Sequence, residues 1–370
     1  MSYIKQIKIR NFRNYSSLDI KNLETGFVVL TGQNGAGKTN VLEAVSILTP
    51  GRGLRRARIE DLQKSSANDS WAVSALVSDG EAENRIGTGL EPSSRKKRIA
   101  RINGHTENAL SSLGRYLSVF WLTPQMDSLF IDSGAERRRF LDRMILTFDP
   151  AHQGRMARYE KALSQRSRLL KDGNFDQSWL SGLESQMAET GVALAATRLD
   201  FIEKLKSTLN QFDVPGFPKS DIRLSGFLED QLGKLPALDL EERFLHALSH
   251  SREADSITGG AAIGPHRSDF MLVYSKKGLD ASQCSTGEQK ILLTGLVLAH
   301  SRLVAAERQA PPLLLLDEVS AHLDESRRLS LYEILRSLGG QVWLTGTDAA
   351  LFHNLDGRYI AIDHGQVISE

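Results

Sequence analysis

Eight consecutive residues, Gly32-Gln33-Asn34-Gly35-Ala36-Gly37-Lys38-Thr39, fit the pattern G-x-x-x-x-G-K-[ST] of a phosphate-cradling loop. Glycines let backbone N–H groups turn inward with no Cβ in the way, and the N-terminus of the helix that follows adds partial positive charge. In such a loop Lys38 can reach the β- and γ-phosphates of a nucleoside triphosphate while the Thr39 hydroxyl ligates Mg2+. Far along the chain, Leu313-Leu314-Leu315-Leu316-Asp317-Glu318 sets two acids directly after an apolar run. Asp317 is placed to hold Mg2+, directly or through water, and Glu318 to accept a proton from an attacking water. Surface acids after a buried strand are the plainer reading, and four leucines immediately before the pair argue against it.

Three further stretches have chemical potential. Ser285-Thr286-Gly287-Glu288-Gln289 opens a helix, and a serine beside exposed N–H groups at a helix N-terminus is an anion site. This second site lies 246 positions beyond Thr39 and need not face the first loop within one subunit. Gly51–Arg58 is a glycine-containing turn with Arg52, Arg55, Arg56 and Arg58, and Arg95, Lys96, Lys97 and Arg98 form a second basic run. Both can attract nucleic-acid phosphates irrespective of sequence. For residues 95–98, a charged strand edge that discourages aggregation is the alternative.

The elements that must position these residues follow from periodicity. Phe27–Thr31 reads as the strand before the phosphate loop and Asn40–Leu48 as the helix after it, the order the motif requires. Ile4–Phe12, with Ile7 and Ile9 on one face, predicts an opening strand, followed by a second one at Leu18 and Ile20. Trp71–Val77 alternates, Ile86 falls in another strand, and Arg95–Ile102 ends at Asn103-Gly104, a type I′ turn signal. Val119–Leu122 predicts a buried strand stopped by Pro124. Helical stripes then run over Glu136–Ile145, Met156–Leu170, Ser178–Phe212 and Leu240–Leu248. Strand texture returns at Ala261–Ile263 and Phe270–Tyr274, and a helix holds Ile291, Leu296 and Leu303. Leu313–Leu316 fits a parallel strand covered on both faces. Helix (326–338), strand (342–344), short helix and strand (359–362) complete an α/β pattern.

With 370 residues, two domains or one domain with an insertion are accommodated. The pattern predicts one α/β ATPase domain in two segments, 1–125 and 255–370, with a mainly helical lobe, 126–254, inserted between them. The net charge of +1 conceals an asymmetry: residues 1–116 carry 18 Lys/Arg against 11 Asp/Glu, and the remainder 28 against 34. A basic N-terminal segment suits a local polyanion-binding face, or simply solvated charge. The single cysteine, Cys284, leaves no internal disulfide and no cysteine-cluster metal site. No apolar run approaches the ~18 residues needed to span a bilayer, and no signal-peptide pattern is present, so the expected location is the cytoplasm.

The glycine loop, Ser285–Gln289, Leu313–Glu318 and Ser320-Ala321-His322-Leu323-Asp324 together resemble an ABC-type ATPase head, a mixed sheet with flanking helices. Three stretches resemble the RecF family of bacterial recombination mediators within the chromosome-maintenance branch. They are Ile9-Arg10-Asn11-Phe12-Arg13-Asn14-Tyr15, Glu136-Arg137-Arg138-Arg139-Phe140-Leu141-Asp142 and Gly264-Pro265-His266-Arg267-Ser268-Asp269. The resemblance spans essentially the whole chain and implies a weak, DNA-stimulated ATPase that uses ATP and Mg2+. It implies that Ser285 and Gly287 clasp the γ-phosphate held by Lys38 of a second copy, in an ATP-dependent homodimer. By the same resemblance Gln125 would take the place of the Q-loop glutamine, and the switch histidine's position would fall in Thr345-Gly346-Thr347-Asp348, with Thr347 as its candidate. The implied partners are DNA, single-stranded and duplex and their junctions, with RecO and RecR, and through them the RecA recombinase. An ABC transporter subunit is the main rival, which the inserted lobe disfavours. An SMC-type structural ATPase would need long heptad arms, whereas helices here are interrupted at Pro150, Gly173 and Pro215.

Overall fold

Period-two and period-3.6 stretches alternate along the chain much as the sequence predicts. A computed structural model describes residues 2–91, 94–173 and 176–369. The first part runs β1 (Tyr3–Phe12), β2 (Tyr15–Ile20), β3 (Gly26–Thr31), α1 (Lys38–Ser46), β4 (Ala72–Ser78), β5 (Glu83–Glu91), β6 (Ser94–Ile102), β7 (His105–Glu107) and β8 (Val119–Leu122). There follow α2 (Gly134–Phe148), α3 (His152–Lys171), α4 (Gln177–Gln211), β9 (Ser220–Ser225), α5 (Ala237–His250), α6 (Arg252–Thr258), β10 (Asp269–Tyr274), β11 (Leu279–Asp280) and α7 (Thr286–Arg308). The chain closes with β12 (Leu313–Leu316), α8 (Glu325–Leu338), β13 (Gln341–Gly346), β14 (Gly357–Asp363) and β15 (Gln366–Ser369).

Two compact units result: Met1–Asp127 with Val214–Phe217 and Val297–Glu370, and Ser128–Asp213 with Pro218–Leu296. The first unit holds two sheets. One is antiparallel, in the order β2-β1-β4-β5-β6-β7, with Ile7 and Ile9 buried and Lys8 and Arg10 exposed, as alternation demands. Its β6–β7 hairpin turns at Asn103 (φ 50°) and Gly104 (φ 88°), the two positive angles of the type I′ turn. The other sheet has the order β15-β14-β3-β13-β12-β8, parallel throughout except for β15. β12 lies between β13 and β8, and its four leucines are at most 2% exposed, which is why that strand is apolar on both faces. Helix α1 buries Val41, Leu42 and Val45 completely and touches β1, β8 and β13, so one helix contributes to the core of both sheets. The carboxyl ends of β3, β13, β12 and β8 meet at one edge, where α/β sheets place their ligands.

Among the described residues, the second unit combines helices α2 to α6 and the start of α7 with the antiparallel sheet β11-β10-β9. Its core joins Tyr159, Leu180, Met187, Leu240, Phe244 and Leu248. Buried arginines are matched by acids: Arg166 donates to Glu184 and Asp255 at 2.9 and 2.7 Å, and Arg198 reaches both oxygens of Asp142 at 2.9 and 2.8 Å. Burial alone would push the Asp142 carboxyl up, but Arg198 and His152 hold it below the usual range.

Two expectations differ from this arrangement. Ala261–Ile263 is irregular backbone, not strand. Residues 255–296 cluster with the helical unit and not with the segment that follows them, whereas residues 126–127 and Val214–Phe217, inside the expected lobe, cluster with the first unit. The physical cause is pairing: β10 adds to β9 in register Phe270–Leu224, Arg137 of α2 holds Asp269 at 2.8 and 2.6 Å, and Arg138 donates to the Ser268 carbonyl at 2.6 Å.

Candidate nucleotide site

The phosphate loop leaves β3 at Thr31 and is braced from two sides. Gly32 has φ +145°, and a Cβ there would lie 2.1 Å from the Ile362 carbonyl oxygen on β14, so only glycine passes. Gly37, at φ +117°, is the N-cap of α1, and its missing Cβ makes room for Asn14 and Tyr15. The Tyr15 hydroxyl donates to the Gly37 carbonyl at 3.1 Å and the Asn14 amide to the Ala36 carbonyl at 3.2 Å. The turn between β1 and β2 thus fixes the loop from below, leaving Gln33, Asn34 and Gly35 exposed at its crest. Lys38, 4% exposed, donates to the Gly32 and Gln33 carbonyls at 2.6 and 2.9 Å. Burial lowers its pKa, with Glu318 and Asp317 pulling the other way.

Asp317 follows β12 and is 6% exposed. Thr39 donates to its two oxygens at 3.0 and 3.1 Å, and Thr345, at the end of neighbouring β13, donates at 2.7 Å. Burial pushes the Asp317 carboxyl up, and the two threonine hydroxyls only partly offset this. Glu318 takes a left-handed backbone, φ 55°, which ends the strand abruptly, and its N–H donates to Thr345 Oγ1 at 3.0 Å. Hydroxyl and carboxylate oxygens side by side, with no sulfur or imidazole, form the hard donor set that Mg2+ takes, and a desolvated carboxylate whose burial is only partly offset suits a cation. Thr39 and Asp317 therefore fit that ion.

The remaining candidates divide. Gln125 is exposed in the short turn after β8, which pairs with β12 in register Leu122–Leu316, so it stands at the same sheet edge as Asp317. Thr347 is exposed, one residue beyond β13, while Thr345 makes the contacts to Asp317 and Glu318. Within the stretch Thr345–Asp348 it is thus Thr345, the hydroxyl residue closing a buried strand, and not the expected Thr347, that touches Asp317. Ser285 and Gly287 begin α7 in the second unit, both exposed, with open space where a Gly287 Cβ would stand. Arg52, Arg55, Arg56 and Arg58 are all exposed, and Arg55 also donates to Asn40 Oδ1 and, at 3.2 Å, to the fully buried Glu43, which Arg13 grips at 2.8 and 2.6 Å. Arg98 corrects the sequence expectation: it is 8% exposed and donates to the Ile47, Thr49 and Gly51 carbonyls and to Thr88, so it organises a turn instead of facing a polyanion. Lys97 is exposed and pairs with Glu91 at 3.6 Å. The side chains of Arg95 and Lys96 lie outside those described. Among the described residues no helix is long and apolar enough to cross a membrane.

A glycine loop after the central strand of a parallel sheet, with an acid two strands away reaching back to its threonine, is the arrangement of phosphate-loop ATPases. The chain belongs to the RecF/RecN/SMC N terminal domain family, whose model matches residues 3–368, and to its RecF branch. It is 46% identical over 370 residues to the DNA replication and repair protein RecF of Mesorhizobium japonicum, covering 99% of this chain and 97% of the relative. The protein of the same description from Rhizobium meliloti is 44% identical over 369 residues, covering 99% and 98%. Among solved structures, the recombination mediator protein RecF with ATP, described as part of the RecFOR pathway, superposes with a TM-score of 0.85 at 25% identity, covering 99% of this chain and 98% of that one. An SMC head domain bound to the C-terminal domain of ScpA, from Pyrococcus furiosus, shares the fold at a TM-score of 0.56 and 18% identity, covering 100% and 96%.

Proposed function

We propose that this protein is an ATP-dependent DNA-binding protein of recombinational repair and replication-fork maintenance, whose slow ATP hydrolysis resets a dimeric clamp. The observation that carries the reading is the convergence on Asp317 of Thr345 and of Thr39, the neighbour of the buried Lys38, in a chain similar to RecF proteins over 99% of its length. Lys38 holds the β- and γ-phosphates, exchanging its loop carbonyls for phosphate oxygens. Thr39 and Asp317 would hold Mg2+, which when bound neutralises charge on those phosphates. Thr345 fixes the Asp317 carboxylate and the backbone of Glu318 together, so the two acids keep one relative position. Glu318 takes the proton from the attacking water.

Ser285 and Gly287 of a second copy complete the site from the other side of the γ-phosphate. ATP then acts as a switch, because only the dimer contacts the γ-phosphate from both copies. The dimer clamps DNA at junctions of single strand and duplex and, with RecO and RecR, assists loading of RecA in the cytoplasm. Support for these partners is the description of the similar RecF structures as belonging to the RecFOR pathway. A membrane transporter role finds no counterpart among these relatives. The test is a binding assay comparing gapped with blunt duplex DNA, with and without ATP, on the Glu318→Gln protein. Binding that requires ATP and prefers the gapped duplex supports the clamp; equal binding without ATP overturns it.

A further inference from the structure

Ser285, the residue assigned to receive a phosphate in trans, already holds an anion. Its backbone N–H and its hydroxyl both donate to the same oxygen of Glu288, Oε2, at 3.1 and 3.0 Å, and the Glu288 N–H returns to Ser285 Oγ at 3.4 Å. This is a capping box, Ser at the N-cap of α7 and Glu three residues on. The other Glu288 oxygen, Oε1, is gripped by Lys277, in the turn between β10 and β11, at 2.6 Å. All of these groups lie in one compact unit, at its exposed surface.

A phosphate oxygen that takes the Ser285 hydroxyl at the N-terminus of α7 competes for a donor that Glu288 Oε2 already occupies. A serine hydroxyl has a single proton to give, so it cannot serve both anions. Like charges at contact distance also repel, and Glu288 stays ionised over the whole physiological range, its carboxyl held down to about 2 by Lys277 and then by Ser285. We infer that Glu288 is an internal stand-in for the phosphate at Ser285 and that Lys277 is the positioning residue that draws it aside as the phosphate docks. The carboxylate then leaves Ser285 while staying with its lysine, so that its charge is not left unpaired. This deepens the in-trans reading of Ser285 and rests on it.

The expected consequence is a nucleotide threshold for dimerisation. In the Glu318→Gln background, sedimentation across an ATP titration gives the concentration at which half of the protein is dimeric. Glu288→Gln keeps an oxygen acceptor for the cap but removes the competing charge, and should lower that concentration by roughly threefold, the size of an exposed ion-pair effect. Lys277→Met should raise it by about as much, with Lys277→Arg restoring it and the difference fading at high salt. Adding Glu288→Gln to Lys277→Met should abolish the lysine effect. Unchanged thresholds for Glu288→Gln and Lys277→Met, with melting temperatures unaltered, would reduce this network to a helix cap and overturn the inference. Ser285→Arg separates the two claims: if it dimerises normally, the in-trans reading itself fails; if it does not dimerise while the other variants leave the threshold unmoved, only the stand-in role fails.

Discussion

Thr345 donates a 2.7 Å hydrogen bond to Asp317 across two adjacent parallel strands, and the same oxygen accepts the N–H of Glu318 at 3.0 Å. One hydroxyl thus sets the position of both acids. Thr345→Val removes that hydroxyl at nearly constant volume. Turnover should fall by about 10- to 100-fold, as for other groups that orient a metal-binding residue, while nucleotide affinity changes by less than about threefold. ATPase kinetics beside a fluorescent-nucleotide titration would check this; a large loss of binding with unchanged turnover would contradict it.

The Asp317 carboxyl is buried at a cost to the fold. Burial raises its pKa above the ordinary 3.8, so ionising it weakens the folded state as pH rises from that value through the folded pKa. Asp317→Asn should therefore melt higher than the parent at neutral pH, in the absence of nucleotide, and lose hydrolysis. The stability difference should shrink as pH falls and vanish below about 3.8, where Asp317 is protonated in both states. Thermal melts at neutral and acid pH measure it, and a lower melting temperature at neutral pH would count against the account.

Gly32→Ala places a methyl group 2.1 Å from the Ile362 carbonyl at a φ of +145°. The loop must move or β14 must yield, at a cost of at least about 2 kcal/mol. Urea denaturation should show this loss together with loss of ATP binding. Parent-like stability would mean that the loop and β14 are less closely fitted.

The exposed arginines of the Gly51–Arg58 turn and the buried Arg98 of β6 differ in role. Replacing Arg52, Arg56 and Arg58 together should weaken duplex DNA binding and reduce the salt slope by about two to three, near 0.9 for each phosphate no longer neutralised. Arg98→Ala should instead cost roughly 3 kcal/mol of stability, because three backbone carbonyls lose their donor. DNA titrations over a range of salt, paired with melts, distinguish the two classes. A salt slope unchanged by the triple replacement would return those arginines to solvated surface charge.

Where a residue's role depends on local pattern, the sequence was informative. The phosphate loop, the four leucines before Asp317 and the alternation at Ile7 and Ile9 each specify their own surroundings, since loop, doubly covered strand and half-buried strand differ in residue type alone. What escaped depends on tertiary partners. Strand β9 was hidden because its pairing with β10 joins residues about fifty positions apart, and the same pairing draws residues 255–296 into the helical unit. Arg98 lies in a basic run indistinguishable in sequence from exposed charge, yet the carbonyls at the end of α1 capture it. Thr345 is one of many threonines until β13 sets it beside β12. In the sequence Ser285 reads as an anion site by its place at a helix start, whereas its bonds to Glu288 are visible only in the capping geometry.

In the proposed function ATP joins two copies through the site built on Lys38, Asp317 and Ser285. Sedimentation of the Glu318→Gln protein, with and without saturating ATP and Mg2+, tests it most directly, because binding survives while the proton acceptor is lost. The expected result is a monomer without nucleotide and a stable dimer with it; a monomer at saturating ATP would overturn the shared site.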